Sequence, residues 1–113
     1  MLYRPPPKQY VSTEIEIRAA MSVLELLPRR KSVNPEANTY TDLKRFIETV
    51  SGEYVSAWGV VVAAERLGFR MHYGRPRGHN ATLNISQRGV RWLQAKAQEI
   101  ERQKREARLG TGL

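Results

Sequence analysis

The sequence contains no cysteine among its 113 residues. A disulfide framework, a thiolate zinc site and a cysteine nucleophile are therefore excluded. The longest run of apolar residues, residues 60–64, is far shorter than the roughly 18 needed to span a bilayer. The first ten residues also lack the apolar stretch of a signal peptide. We therefore expect a protein without a membrane partner that is cytoplasmic or associated with the nucleoid.

Acidic residues are scarce as well, since 11 Asp and Glu stand against 19 Lys and Arg, for a formal net charge of +8. Asp42 is the only aspartate, and it lies where a helix is expected to begin. His72 and His79 have no third metal ligand at a useful spacing. There is no phosphate-binding glycine loop, nucleophile elbow or motif around a carboxylate pair. The sequence therefore indicates no enzyme and no cofactor or metal.

The excess positive charge is concentrated at the N-terminus, in one polar loop and in the C-terminal third. Residues 69–85 contain three arginines and no acid, and residues 86–108 contain seven basic and three acidic residues. Basic surfaces of this kind bind polyanions, because each neutralised phosphate releases condensed counterions. The charge therefore favours a nucleic acid partner over a surface that is basic only for solubility.

The chain is short enough to form one domain. Residues 1–12 contain three consecutive prolines and two basic residues, which predicts a flexible basic arm. Residues 13–108 are expected to form the folded domain, and residues 109–113 a disordered tail. Within the domain, Thr13 and Glu16 form a capping box that predicts a first helix ending near residue 27.

A polar loop at residues 28–40 precedes two further helices. The second helix is predicted at about residues 42–50, after a threonine cap at position 39 or 41 and before a glycine stop. Ser56 is predicted to cap the third helix, and Gly68 to follow its end. Two short helices joined by a glycine turn have the shape of a helix-turn-helix.

The remaining elements are a hairpin and a long helix. Apolar and polar residues alternate over residues 69–73 and 82–85, which predicts two strands around a basic, glycine-bearing tip. Ser86 is then placed to cap a last helix that runs to about Arg108. The sequence therefore predicts a mainly α fold with a small β-hairpin, in the order α-α-α-β-β-α.

That order is the order of a winged helix-turn-helix domain, and two segments resemble MarR-type and PadR-type transcriptional regulators. VVVAAERLGFRMHYG is similar to the end of their recognition helix and the first wing strand. TLNISQRGVRWLQ is similar to their hairpin-to-helix joint. In the joint, the matching positions are Ile85, Ser86, Arg88, Gly89, Trp92 and Leu93. The resemblance covers about residues 40–95 and implies a winged-helix fold that binds DNA.

The third helix departs from what base recognition requires. Its predicted outward face holds Val55, Gly59, Val62 and Arg66, and so has few donors to read base edges in a major groove. Such a helix makes mostly shape and phosphate contacts, or it presents Trp58 and Val62 to a protein. Trp58 is equally well explained as a core residue.

The hairpin tip is the preferred DNA contact, because it places arginines on a flexible turn without an acid. An ordinary solvated turn is the alternative. The candidate DNA-binding residues also include the loop cations and polar residues of the second and third helices. They are Arg29, Arg30, Lys31, Lys44, Ser56, Arg66, Arg70, Arg75, Arg77, His79 and Asn80.

The apolar stripe of the last helix is longer than a small core needs, which predicts a homodimer contact, although Lys104 interrupts the heptad. The candidate partner residues are Trp58, Val62, Leu93, Ala97 and Ile100. The sequence thus predicts a dimeric protein that binds double-stranded DNA, as a small repressor or accessory regulator of a phage, plasmid or mobile element. One alternative is a protein-interaction module that binds a polymerase or another regulator. RNA binding is less favoured, because no strand face is rich in aromatic residues.

Overall fold

The computed structural model describes residues 13–74 and 80–111. The predicted basic arm (residues 1–12) and most of the predicted hairpin tip (residues 75–79) lie outside the described residues. The described part is mainly helical, with four α-helices and a small two-stranded antiparallel sheet. The predicted class is confirmed at that level. No helix in this part is both long and apolar enough to cross a membrane.

The first helix, α1 (Glu14–Leu24), begins at the predicted capping box. The hydroxyl of Thr13 accepts a hydrogen bond from the amide of Glu16 at 3.2 Å, and the Glu16 carboxylate accepts one from the amide of Thr13 at 3.0 Å. The helix ends three residues earlier than predicted. The next two amides, of Leu26 and Leu27, bond to carbonyls only three residues back, which turns the chain away from the helix axis.

The second helix, α2 (Lys44–Ser51), follows directly on a π-helical turn, Thr39–Leu43, that the sequence did not predict. Asn38, and neither of the predicted threonines, caps this turn. Its side-chain oxygen accepts hydrogen bonds from the amides two and three residues further on. At the other end, the predicted glycine stop is confirmed, since Gly52 has a φ of +75° in the left-handed region.

The third helix, α3 (Ala57–Arg66), is capped as predicted by Ser56, whose hydroxyl accepts a hydrogen bond from the amide of Gly59 at 3.0 Å. The helix packs against α1 on one side and against the π-helical turn on another. The predicted outward face is therefore partly wrong. Val55 and Gly59 are buried, Val62 is half-buried, and only Arg66 of the four is fully exposed.

Strands β1 (Met71–Tyr73) and β2 (Ala81–Leu83) form the predicted antiparallel hairpin, with Met71 opposite Leu83. The segment between α1 and α2 pairs with the other edge of β2. Isolated antiparallel bridges join residue 29 to residue 85 and residue 38 to residue 82. We call residues 28–38 the basic loop. Because eight residues of the loop lie between the two bridges and only two residues lie between them on the strand side, the loop bulges outward.

The last helix, α4 (Gln87–Thr111), starts after Ser86, whose hydroxyl accepts a hydrogen bond from the amide of Gly89 at 3.2 Å. It continues three residues past Arg108, so residues 109–111 are helical and the predicted disordered tail does not begin there. It packs against α2. The core contains side chains from all four helices and the hairpin. The largest fully buried ones are Leu24, Leu43, Ile47, Leu83, Ile85 and Leu93.

A buried carboxylate joins the N-termini of two helices. Besides its contacts in the α1 capping box, Glu16 accepts a hydrogen bond from the amide of Ser56, the cap of α3, at 2.9 Å. Burial acts to raise the pKa of Glu16. The hydrogen bonds from Thr13 and Ser56 outweigh burial, however, and hold this pKa below its ordinary value of 4.5. The charged form is favoured further by the positive ends of both helix dipoles.

Glu16→Gln is expected to lower the free energy of unfolding at neutral pH by about 1 to 3 kcal/mol, because the amide gives up the charge-assisted hydrogen bonds. The folded pKa is below the unfolded value near 4.5. The carboxylate therefore stabilises the fold fully above pH 4.5, and this contribution is lost as the pH falls through the folded pKa. Urea unfolding of both proteins along a pH series measures the effect.

The matched control is Glu25→Gln, at an exposed position just after α1. Its free energy of unfolding should stay within about 0.5 kcal/mol of that of the unaltered protein. The free energy of unfolding of Glu16→Gln is compared with that of the unaltered protein along the pH series. If the difference stays constant from neutral to strongly acidic pH, the carboxylate charge is not the source of the stabilisation.

Candidate nucleic-acid interface

Asn84 is the centre of the contact between the basic loop and the hairpin. Its buried side chain donates from Nδ2 to the carbonyl of Arg30 at 2.7 Å and accepts at Oδ1 from the amide of Arg70 at 2.9 Å. Its backbone bonds to the same two residues, accepting from the amide of Arg30 at 2.8 Å and donating to the carbonyl of Arg70 at 3.1 Å. One residue thus fixes the two arginine backbones side by side.

Arg29 is held by the end of α3. Its guanidinium lies over the ring of Phe69, with Cζ 3.8 Å from the ring centre, and donates to the carbonyl of Leu67 at 2.8 Å. A guanidinium stacked on an aromatic face keeps its charge and loses rotational freedom. Arg29 is thus oriented at the surface and remains exposed.

Arg30, Lys31 and Arg70 complete a group of four exposed cations, which together with Arg29 we call the basic cluster. Arg30 donates to two carbonyls further along its own loop, at 3.0 and 2.9 Å. Arg70 reaches across from the hairpin and donates to the carbonyl of Lys31 at 3.2 Å. The predicted loop cations and Arg70 are therefore brought to one surface.

The basic cluster is oriented without being neutralised. Its guanidinium groups bond to carbonyl oxygens, and within residues 13–74 and 80–111 none of the four cations forms an ion pair with a carboxylate. Carbonyl partners restrict the side chains but leave their net charge in place. Less conformational entropy is then lost when a phosphate binds. The cluster is chemically suited to bind phosphate groups.

The side chains of three other predicted DNA-binding residues bond to other residues of the chain. Ser56 is 4% exposed, and both its hydroxyl and its amide are used at the start of α3. Arg66 makes a two-bond ion pair with Glu14, and the hydrogen bond from its guanidinium lowers the pKa of that carboxyl. Lys44 pairs with Glu48 one turn along α2. The predictions for these residues placed them on a DNA surface, and the structure places them in internal contacts.

The hairpin tip is described only in part. Arg75, Arg77 and His79 lie outside the described residues. Asn80 is half-buried, and its side-chain oxygen accepts a hydrogen bond from the side chain of Asn38. A Cβ on Gly74 would come within 2.9 Å of the Asn80 side chain, so a larger residue at position 74 would displace that side chain. Asn80 therefore closes the base of the hairpin, which the sequence did not predict.

The predicted partner residues fall into two groups. Trp58 and Val62 lie one turn apart on α3 and are both half-buried, so Trp58 is neither a core residue nor fully displayed. Leu93 and Ala97 are buried within the chain, at 0% and 3% exposure, and Ile100 is half-buried. The expectation that the α4 stripe is a spare surface for a homodimer is therefore wrong for its first half, which covers the core and α2.

Sequence reasoning missed the role of asparagine in this site. Apolar and polar residues alternate over 82–85, but residues 83, 84 and 85 are all buried because the basic loop covers the other side of the strand. Asn34 in the loop donates to the carbonyl of Ile85 at 3.0 Å and to the side chain of Gln87 at 3.1 Å. The available signal was the pair of asparagines itself, since this residue type bonds readily to backbone.

No protein-family model, curated protein or solved structure matches the chain. Within the described ranges, no group of three or more His, Cys, Asp or Glu side chains is placed to hold a metal ion. The feature with an identifiable binding chemistry is therefore the basic cluster.

Asn84→Ala is expected to lower the free energy of unfolding by about 1 to 3 kcal/mol, because the carbonyl of Arg30 and the amide of Arg70 would lose partners in a part-buried site. Amide hydrogen exchange should accelerate at Arg70, whose bond is to the Asn84 side chain. The amide of Arg30 bonds to the Asn84 backbone and should change less.

Gln98→Ala, at an exposed position on α4, is the control for stability. Its free energy of unfolding should stay within about 0.5 kcal/mol of that of the unaltered protein. If Asn84→Ala unfolds at the same urea concentration as the unaltered protein and Arg70 exchanges at the same rate, Asn84 does not hold the basic cluster in place.

Proposed function

We propose that the protein binds double-stranded DNA as a winged helix-turn-helix domain and acts as a small transcriptional repressor or accessory regulator. The observation that carries the proposal is the basic cluster. It places four exposed cations together beside a hairpin, with no carboxylate paired to any of them in the described part of the chain. The resemblance to MarR-type and PadR-type regulators supports the proposal, as does the element order of three helices, hairpin and helix.

Phosphate contacts are proposed to contribute most of the DNA affinity. The side of α3 left uncovered presents Trp58, Val62, Glu65 and Arg66, and Arg66 is already paired with Glu14. These side chains offer few donors for base edges in a major groove. The proposed binding is therefore weak in base discrimination, and the cluster, with the predicted Arg75 and Arg77 of the hairpin tip, supplies most of the affinity.

A protein-interaction module is the second candidate function. It is favoured by Trp58 and Val62, which form a half-exposed apolar pair one turn apart on α3. Buried aromatic anchors of this kind dominate many protein interfaces. This candidate and DNA binding differ in their salt dependence, since an apolar anchor releases no counterions.

Binding to a random-sequence DNA duplex is expected to weaken steeply with salt, with a log-log slope of about −4 to −6, because some four to seven phosphates are neutralised. The double variant Lys31→Gln, Arg70→Gln should lower the affinity and reduce the magnitude of the slope by about 2. Fluorescence anisotropy across a salt series measures both quantities.

Arg18→Gln is the matched control, because it removes an exposed cation from α1, where Glu14 already accompanies it. Its slope should equal that of the unaltered protein. A flat salt response, or no binding to the duplex at low salt, would reject DNA binding and favour the protein-interaction candidate.

A further inference from the structure

The exposed side of the first three turns of α4 carries a tryptophan among cations. Trp92 is 42% exposed, and Arg88, Arg91 and Lys96 around it are exposed too. Arg88 and Lys96 stand four residues before and after the indole, which places one cation a turn below it and one a turn above it on the same side of the helix. We call these four residues the α4 face.

The cations of the α4 face have no internal partner. Between residues 87 and 98 the sequence contains no acid, and Arg88, Arg91 and Lys96 make no hydrogen bond or ion pair with other described residues. Further along the same helix, Arg102 is paired with both Glu99 and Glu106. The cations in the first three turns of α4 are thus not neutralised by carboxylates of the described residues.

The α4 face is continuous with the basic cluster. The start of α4 is tied to the basic loop by the bond from Asn34 to Gln87, and a Cβ on Gly89 would lie 3.1 Å from Pro28. At about 100° per residue, Trp92 and Lys96 lie only about 60° and 20° around the helix from Gly89. These two side chains therefore lie on the side of α4 that faces Pro28 at the first turn of the helix, and one ligand that extends from the basic loop along α4 can contact both surfaces.

We propose that the α4 face binds a single-stranded DNA segment that adjoins the duplex held by the basic cluster, an inference that rests on the proposed function. An exposed indole offers a stacking surface for an unpaired base, and the cations one turn to either side are placed to hold the phosphates that flank it. In a blunt duplex the bases are stacked on each other and unavailable to Trp92. A protein interface would instead surround the tryptophan with apolar side chains, and here its neighbours are cations.

The test compares a blunt duplex with the same duplex carrying a ten-nucleotide thymidine overhang, at the 5′ or the 3′ end. The overhang of one polarity or the other is expected to raise the affinity about five- to 100-fold, the range for stacking of one base. Trp92→Ala should reduce this gain to less than twofold and leave blunt-duplex affinity unchanged. Arg105→Gln, further along α4, is the matched control and should keep the full gain.

A direct readout uses the Trp58→Phe background, in which Trp92 is the remaining tryptophan, after circular dichroism confirms folding. Overhang DNA should quench Trp92 fluorescence, and blunt duplex should not. If blunt duplex binds but overhangs of both polarities add no affinity and no quenching, the inference is wrong and the proposed function stands. If no duplex binds, the proposed function is wrong. Self-association or protein binding lost in Trp92→Ala, without an overhang effect, would overturn the inference in favour of a protein partner.

Discussion

The proposed interface depends on the four hydrogen bonds of Asn84. Without them the basic loop would have to bring three like charges against a fourth, Arg70, with no ion pair to a carboxylate in the described part of the chain, and repulsion would favour an extended loop. The bonds are made by backbone atoms and one amide side chain, so they do not consume the charges that they bring together. A neutral residue at this position can therefore assemble a cationic surface that an aspartate or glutamate would partly neutralise.

Five of the eleven acids form contacts on other surfaces. Glu14 pairs with two cations of α1 and α3, Glu16 joins two helix N-termini, and Glu48 pairs within α2. Glu99 and Glu106 pair with one arginine in the second half of α4. These contacts lie away from the basic loop and the start of α4, and the cations of those two surfaces form no ion pair in the described part of the chain. The distribution of the few acids, more than the number of bases, defines where a polyanion is attracted.

Local signals predicted most of the elements, and tertiary pairing accounts for most of the errors. Capping at Thr13, Ser56 and Ser86 is set by neighbours three residues away, so the sequence alone located these helix starts. The outcome for Asn84 depends on the basic loop, some 50 residues away along the chain, and alternation within one strand carries no information about a segment covering its other side. The sequence alone also could not show whether Ser56, Arg66 and Leu93 are free to contact a partner, because that depends on which helices pack against them.

The order of elements implies that α3 is the helix that contacts DNA, but α4 has more side chains available for such a contact. α3 is covered on two sides and keeps one cation, Arg66, which is bound by Glu14. Among the described residues, the first three turns of α4 keep three cations without an ion pair, together with an exposed indole. The start of α4 and the basic loop therefore combine unpaired cations with an exposed aromatic side chain, a combination that suits nucleic acid binding. Asn34 and the close approach of Pro28 to Gly89 join the basic loop to the first turn of α4, so a substitution that displaces the loop is expected to alter the contacts at the start of α4 as well.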